Sequence, residues 1–276
     1  MFDAYADRWA LITGASSGIG EQFARRLAGL GMHLVLCARR EDAMKALADD
    51  LDTRHGTRCE IIALDLSQAE SAGKLVDEIQ QRGIEIELLV NNAGFGMVGS
   101  MEETGVDRVM EMIRLNIGTL TELCYRLAEP MVQRKHGAII NIASVAAFQP
   151  LAFMGPYAAS KAYVLHLSEA LWAELKDHGV TVMALCPGIT KTSFFDVAGA
   201  PEMLKSGASQ TPEQVVKTAL KYLEKKRQYV VCGWKNYLLS LMTRLASRKI
   251  VVNESRKHVR PKPSKRKKKS SDEATD

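Results

Sequence analysis

Residues 8–20 read RWALITGASSGIG. An apolar run, RWALIT (8–13), passes directly into Thr13-Gly14-Ala15-Ser16-Ser17-Gly18-Ile19-Gly20, and a helical pattern starts near residue 19. Strand, glycine turn and helix in that order make the phosphate-binding corner of a dinucleotide fold. Gly14 lets the chain turn sharply, Gly18 removes a side chain where a pyrophosphate must meet backbone, and Gly20 lets the new helix lie close on the sheet. The free N–H groups of the helix face the pyrophosphate charge. Gly14, Ser16, Ser17, Gly18, Ile19 and Gly20 are therefore the expected cofactor contacts of this turn.

Working outward, six further apolar runs follow: 33–38 (HLVLCA), 59–64 (CEIIAL), 87–91 (ELLVN), 138–143 (AIINIA), 180–186 (VTVMALC) and 229–232 (YVVC). They are rich in β-branched residues and lack strict polar alternation, as strands covered on both faces do. Helical patterns lie between them near 19–30, 41–54, 68–82, 102–129, 157–178 and 212–226. The alternation predicts an α/β doubly wound Rossmann fold, a seven-stranded parallel sheet flanked by helices. Residues 1–252 form one catalytic domain on this reading. Within it, 189–211 has weak periodicity and several Gly, Ser and Pro, and reads as a mobile flap. Residues 253–276 are polar and Lys/Pro-rich and read as a disordered tail.

Charge and composition exclude several classes. The net charge is +5, but residues 256–276 hold nine Lys/Arg against three acids, so the remaining 255 residues sum to −1. The body is neutral and the basicity is a tail, which argues against a fold built for specific nucleic-acid binding. The five cysteines are scattered and never spaced CxxC, and the six histidines show no metal-ligand spacing; packed, reduced thiols and no metal are expected. No apolar stretch approaches the roughly 20 residues of a membrane span, and the N-terminus lacks a basic region before an apolar core. The expected location is cytoplasmic, with a membrane surface as the alternative developed below.

The second strand ends LCARRED (36–42). An acid at this position would accept from a ribose 2′-hydroxyl; here Arg39 and Arg40 offer paired guanidiniums suited to a 2′-phosphate. This favours NADP(H), with NAD(H) as the alternative if the arginines are solvated and partly neutralised by Glu41 and Asp42.

The chemistry is concentrated in 144–161. Tyr157 and Lys161 are four apart and share a helix face. A phenol with a reference pKa of about 10 is a poor base at neutral pH, and a neighbouring ammonium lowers that value. Tyr157 can then exchange a proton with an alcohol or a developing alkoxide. Ser144 follows a strand, at the carboxyl end where this sheet type holds ligands, and its hydroxyl can bond a substrate oxygen.

Taken together, TGxxxGxG, the Asn91-Asn92-Ala93-Gly94 run, Asn116, Ser144, the Tyr157/Lys161 pair and Pro187-Gly188 resemble the short-chain dehydrogenase/reductase family over about residues 8–232. LNIGTL, IINIASVAAFQPL and CPGITKTSFF look closest to its NADP-preferring ketoreductase branch. The resemblance implies an oxidoreductase moving a hydride between nicotinamide and a carbonyl or secondary alcohol, with Asn116, Ser144, Tyr157 and Lys161 catalytic; the alternatives are an NAD-dependent alcohol dehydrogenase and a non-catalytic dinucleotide-binding sensor or scaffold, whose expected sign, loss of Ser144, Tyr157 or Lys161, is absent from the sequence. It implies that Lys161 holds the nicotinamide ribose, and that Asn116 anchors a water linking Lys161 to solvent. Asp65 and Leu66 would sit against the adenine, and Asn92, Ala93 and Gly94 on the adenosine-ribose side. Pro187, Gly188, Thr190 and Thr192 would hold the carboxamide and phosphates. Asn91 has a simpler use tying strands together, and Asp65 one as a helix cap. Relatives also imply a homo-oligomer, dimer or tetramer, through helices 102–129 and 157–178.

Two stretches admit alternatives. Phe148, Leu151, Phe153 and Met154, with Phe95, Met97, Val98, Phe194 and Phe195, are either the wall of an apolar pocket for a lipid-like, steroidal or aromatic ketone or packing beneath the flap or a subunit contact. Ser144, Phe148, Phe153 and Met154 are the named substrate contacts on the first reading. Residues 234–252 place Trp234, Leu238, Leu241, Met242 and Leu245 on one stripe of an amphipathic helix with Arg244, Arg248 and Lys249 around it. That helix either docks on the body or, with the basic tail, rests on an anionic membrane surface.

Overall fold

The computed structural model describes residues 5–205 and 209–260. Seven strands, β1 (Trp9–Thr13), β2 (His33–Ala38), β3 (Cys59–Ala63), β4 (Ile86–Asn91), β5 (Gly137–Ile142), β6 (Val180–Cys186) and β7 (Tyr229–Val231), form one sheet in the order 3-2-1-4-5-6-7. Every pairing is parallel. Chain direction across the sheet reverses between β1 and β4, which opens a crevice at the carboxyl ends of those strands.

The strands alternate their side chains between two apolar layers. Ala10, Ile12, Leu34, Leu36 and Val90 point to one face, against Phe23 and Leu27 of α1 (Gly18–Ala28), Met44 and Leu51 of α2 (Glu41–His55) and Val216 and Leu220 of the helix Pro212–Glu224. Leu11, Val35, Leu89, Ile139 and Val182 point to the other, against Leu75 and Ile79 of α3 (Ser71–Gln81) and residues of two later helices. Both faces being dry explains the unbroken apolar runs. The cysteines are unpaired; Cys37, Cys124, Cys186 and Cys232 are buried in these layers.

The expected long helix at 102–129 is instead three pieces. α4 (Met101–Thr104) ends at Gly105, whose φ of 69° and ψ of 141° leave the helical region. α5 (Val106–Ile113) runs into a π-helical turn, Arg114–Thr119, and α6 (Leu120–Gln133) continues through Pro130. The π turn contains Asn116, and such bulges commonly mark functional sites. α7 (Gly155–Leu175) starts with Pro156 in its first turn, where the missing N–H costs nothing. The 189–211 segment contains α8 (Phe194–Val197) and a 3₁₀ turn Pro201–Lys205, and α9 is Pro212–Glu224.

The C-terminal reading needs correction. The single helix expected at 234–252 is two, α10 (Trp234–Leu245) and α11 (Arg248–Val259). Ala246 leaves the helix with ψ of 147°, and Ser247 stands at the next N-cap position. Residues 253–259 of the expected tail are therefore helical, because Val251, Ser255 and Val259, four apart, turn one face inward. The remainder of that tail, 261–276, lies outside the described residues.

Beneath the crevice, Asn91 and Asn141 face each other across β4 and β5. Asn91 Nδ2 donates to Asn141 Oδ1 at 3.0 Å, and Asn141 Nδ2 donates to Ser168 Oγ at 3.0 Å. The simpler expectation for Asn91, a tie between strands, describes this geometry. Replacing Asn141 with Leu removes, in a buried setting, the shortest of the Asn91 amide's hydrogen bonds, leaving it Leu120 O and Cys124 Sγ at 3.4 and 3.3 Å, and removes the donor to Ser168 Oγ. A loss of about 1–3 kcal/mol is expected, checked as a lower urea midpoint at unchanged m-value.

Candidate active site

The glycine turn is locked from behind. Thr13 Oγ1 donates to Val90 O at 3.3 Å and accepts from the N–H groups of Asn92 and Ala93 at 2.9 and 3.0 Å. Asn92 Nδ2 donates to the carbonyls of Thr13 and Gly14 at 2.9 and 3.2 Å. β1 and β4 are thus clipped together at the switch point, and the turn is held open toward the crevice. Gly14 and Gly18 sit at φ of 66° and 61°, and a Cβ on Gly18 would meet Thr192 at 3.0 Å. A Cβ on Gly20 would lie 2.3 Å from Gly14 O. Gly14 and Gly18 leave the turn's backbone open to the crevice, which is the surface a pyrophosphate needs.

The crevice is a continuous cavity of about 720 Å³, inside the roughly 300–1,000 Å³ usual for ligand pockets. Gly14, Ser16, Ser17, Gly18 and Ile19 line one end with Arg39, Arg40, Asp65 and Leu66; Asn92, Ala93, Gly94, Pro187, Gly188, Thr190 and Thr192 line the middle. Gly20 is not in the wall; it acts one layer back, by closeness to Gly14. Arg40 donates to Ser16 Oγ at 3.2 Å and Ser16 O at 3.0 Å, which holds its guanidinium over the turn. Glu41 is engaged elsewhere, with Lys45 at 2.7 Å. Asp65 accepts from Ser67 N and Oγ at 3.0 and 2.7 Å. Burial alone would raise its pKa, but those hydrogen bonds, one from Gln68 and the Arg39 charge hold it below the usual carboxylate range. Asp65 therefore both shapes its turn and lines the cavity.

At the other end Ser144, Tyr157 and Lys161 converge. α7 turns Tyr157, Ser160 and Lys161 inward together. Lys161 Nζ donates to Ile142 O at 2.8 Å and lies 5.8 Å from the centre of the Tyr157 ring. Burial lowers the Lys161 pKa to about 8. Burial pushes the Tyr157 phenol up to about 12, and only its hydrogen bond with Ser144 works the other way. The expectation that the ammonium brings the phenol down is not met by the protein's own groups. Lys161 is directed at a carbonyl rather than at the phenolic oxygen, and desolvation outweighs it.

Residues 8–202 match the family described as short chain dehydrogenase. The chain belongs to the short-chain dehydrogenase family. It is 33% identical over 218 residues to a very-long-chain 3-oxoacyl-CoA reductase of Neurospora crassa, covering 77% of this chain and 63% of that protein. It is 29% identical over 222 residues to 17-beta-hydroxysteroid dehydrogenase type 3 of Danio rerio, covering 79% and 70%. The chain thus spans only 63% of the length of the fungal oxoacyl-CoA reductases it matches. Among solved structures, a short-chain dehydrogenase from Sphingobium yanoikuyae in complex with NADPH superposes with a TM-score of 0.78 at 33% identity, covering 82% of this chain and 88% of that one. The bulky-bulky ketone specific alcohol dehydrogenase of Comamonas testosteroni superposes at 0.74 with 30% identity, covering 86% and 92%.

Three expected positions fall differently in this short-chain dehydrogenase. Asn116 is fully buried and does not line the cavity. Its amide spans the Phe95 peptide, accepting from Phe95 N at 3.2 Å and donating to Phe95 O at 3.0 Å, and also donates to Ser160 Oγ at 3.2 Å. Its side chain thus clamps the loop after β4. Phe148 packs outward on Tyr229, with ring centres 6.0 Å apart. Phe153 adopts a φ of 63°, and its carbonyl accepts from Gly99 N at 3.0 Å, so it makes the turn and leaves the wall to its neighbours. Met154 does line the cavity, with Gln149 and Leu151. Phe194 of α8 covers the catalytic end, its ring centre 5.5 Å from that of Tyr157. The contribution the sequence reading missed is Val259, at the end of α11, which joins Leu151 and Phe194 against the apolar cluster around Tyr157.

Proposed function

We infer that this short-chain dehydrogenase reduces an apolar ketone with NADPH. The observation that carries the reading is one cavity running from a glycine turn overlooked by two arginines to a buried Tyr157, Ser144 and Lys161 beneath apolar walls. The NADPH complex of the Sphingobium relative and the ketone or oxoacyl substrates in the relatives' names support it.

NADPH, when bound, supplies the hydride. The chain's own residues do the rest. Ser144 is set to donate to the ketone oxygen, and Tyr157 to give it the proton as charge develops there. A phenol held near 12 is fully protonated at neutral pH, the state a reductase needs before turnover. Lys161, whose ammonium does not offset the desolvation of the resting phenol, would hold the nicotinamide ribose hydroxyls. Phe194 keeps water from the reacting end. Gly14, Ser17, Gly18 and Ile19 hold the pyrophosphate, and Arg39 and Arg40 the 2′-phosphate.

Activity is tested by following loss of NADPH absorbance with a panel of aliphatic, steroidal and aromatic ketones; protein that binds NADPH yet reduces none of them defeats the reading. For cofactor choice, Arg39→Asp removes one charge-assisted contact worth about 1.5–3 kcal/mol and adds repulsion. NADPH affinity should fall about 10- to 100-fold with NADH affinity kept or improved, measured by fluorescence titration of both; an unchanged ratio would place the selectivity elsewhere.

A pH dependence follows from Lys161. Its pKa of about 8 means the ammonium is present below that pH and lost above it. Since kcat/KM reports the free enzyme, ketone reduction should be level up to about pH 8 and decline beyond. In Lys161→Arg the decline should move to higher pH, because a guanidinium keeps its proton.

A further inference from the structure

Of the twelve residues of α10 only Ser240 is buried. Trp234, Leu238, Met242 and Leu245 form an exposed stripe, Trp234 at 72% and Leu245 at 91% exposure. On the next helix Ile250 and Val252 are also exposed, while Val251 and Ser255 fix α11 to the body, the latter accepting from Ala152 N at 3.0 Å. Large side chains are not left in water along a whole helix without a partner. The charge around them is one-sided. Residues 234–260 hold seven Lys/Arg and one acid, Glu254. Residues 261–276 add six Lys/Arg and three acids, so 234–276 carry +9 and, with the chain at +5, residues 1–233 sum to −4.

We propose that α10 and α11 dock this protein on an anionic lipid bilayer surface, with Trp234, Leu238, Met242 and Leu245 in the acyl boundary and Arg244, Arg248 and Lys249 at the headgroups. An apolar stripe flanked by cations is the composition of an interfacial helix, and each nearby cation is favoured by a negative surface potential. A second copy of the chain fits less well. A symmetric contact sets the same patch against itself, so seven cations would meet seven with a single acid on each side. Among the described residues no helix is long and apolar enough to cross a membrane, so the geometry is that of resting on the surface. Val259, on the opposite and inward face of α11, lines the cavity, so the docked helix pair stands beside its apolar end.

Co-sedimentation of the full chain with phosphatidylcholine vesicles, with and without phosphatidylglycerol, tests the docking without turnover. The protein should sediment with the phosphatidylglycerol vesicles, be released by high salt, and show a blue shift of tryptophan emission that Trp234→Phe abolishes. The variant Trp234→Ser/Met242→Ser/Leu245→Ser keeps every cation and should bind at least about tenfold more weakly. Arg244→Glu/Arg248→Glu/Lys249→Glu should do the same. All of these side chains are exposed, and unchanged melting and NADPH binding verify that the variants fold. The proposal is overturned if the parent protein ignores anionic vesicles, or if the serine variant binds like the parent. It is equally overturned if the parent is a dimer in solution that the serine variant converts to monomer, since a second copy then occupies the stripe.

Discussion

Tyr157→Phe is expected to reduce kcat for ketone reduction by about 10²–10⁴-fold, the usual contribution of a positioned general acid, with NADPH affinity close to that of the parent. The variant removes one oxygen and leaves the ring. The packing against Phe194 therefore stays, and so does the helical face that carries Lys161. What is lost is the phenolic proton that the proposed mechanism passes to the ketone oxygen. Steady-state rates with a saturating ketone, together with NADPH titration, separate the two quantities. Turnover near the parent's would move the proton donor to another group and remove the central step of the mechanism. The high pKa of Tyr157 sharpens the expectation. The phenol, held near 12 by burial, keeps its proton at neutral pH, and the phenolate that alcohol oxidation needs is scarce there, so the parent's reverse reaction should rise with pH while the variant shows little of either.

Gly20→Ala is expected to cost stability and cofactor binding together. The added methyl would stand 2.3 Å from Gly14 O and 2.6 Å from Asn92 Nδ2. The carbonyl belongs to the turn itself, and the amide is the donor that fixes it. Neither can yield without moving the loop that faces the pyrophosphate. Overpacking of this kind costs about 1–3 kcal/mol, or a melting temperature lower by about 2–12 °C for a chain of this size. NADPH should bind weakly even where the protein remains folded. Gly56→Ala is the control: unlike Gly20 it has a positive φ, 63°, but nothing lies within 4 Å of the new methyl. It should lose only about 1 kcal/mol of backbone strain and bind NADPH normally. Equal losses in the two variants would mean that close approach at Gly20 is not what the turn requires.

The strands were legible because both faces of the sheet are dry, and the glycine turn because it follows a strand and opens a helix. Arg39, Arg40, Ser144, Tyr157 and Lys161 were placed by their position at strand ends and on one helical face, and all five line the cavity. What escaped the sequence was set by orientation. Phe148 and Met154 are equally apolar, but a 3₁₀ turn over Val145–Phe148 sends the first toward Tyr229 and leaves the second for the cavity. The break at Gly105 and the π turn around Asn116 do not disturb the apolar periodicity that suggested one helix. The ammonium's effect on the phenol failed as an inference because spacing gives proximity but not direction, and Lys161 points at Ile142 O. In VVNESRKHV the signal for α11 was present as Val251, Ser255 and Val259 at intervals of four, but the surrounding charge hid it.

Val259 makes the far end of the chain part of the pocket. Its side chain meets the apolar cluster beside Tyr157, and the helix that carries it is pinned by the Ala152–Ser255 hydrogen bond. Shortening the protein to residue 247 would keep Ser144, Tyr157 and Lys161 and remove Val259 from the cavity wall, which on the proposed ketone reduction should admit wider ketones. On the proposed function, the width of the apolar end depends on a residue almost a hundred positions downstream of Lys161, so selectivity can diverge by recoding one helix while Ser144, Tyr157 and Lys161 are left alone.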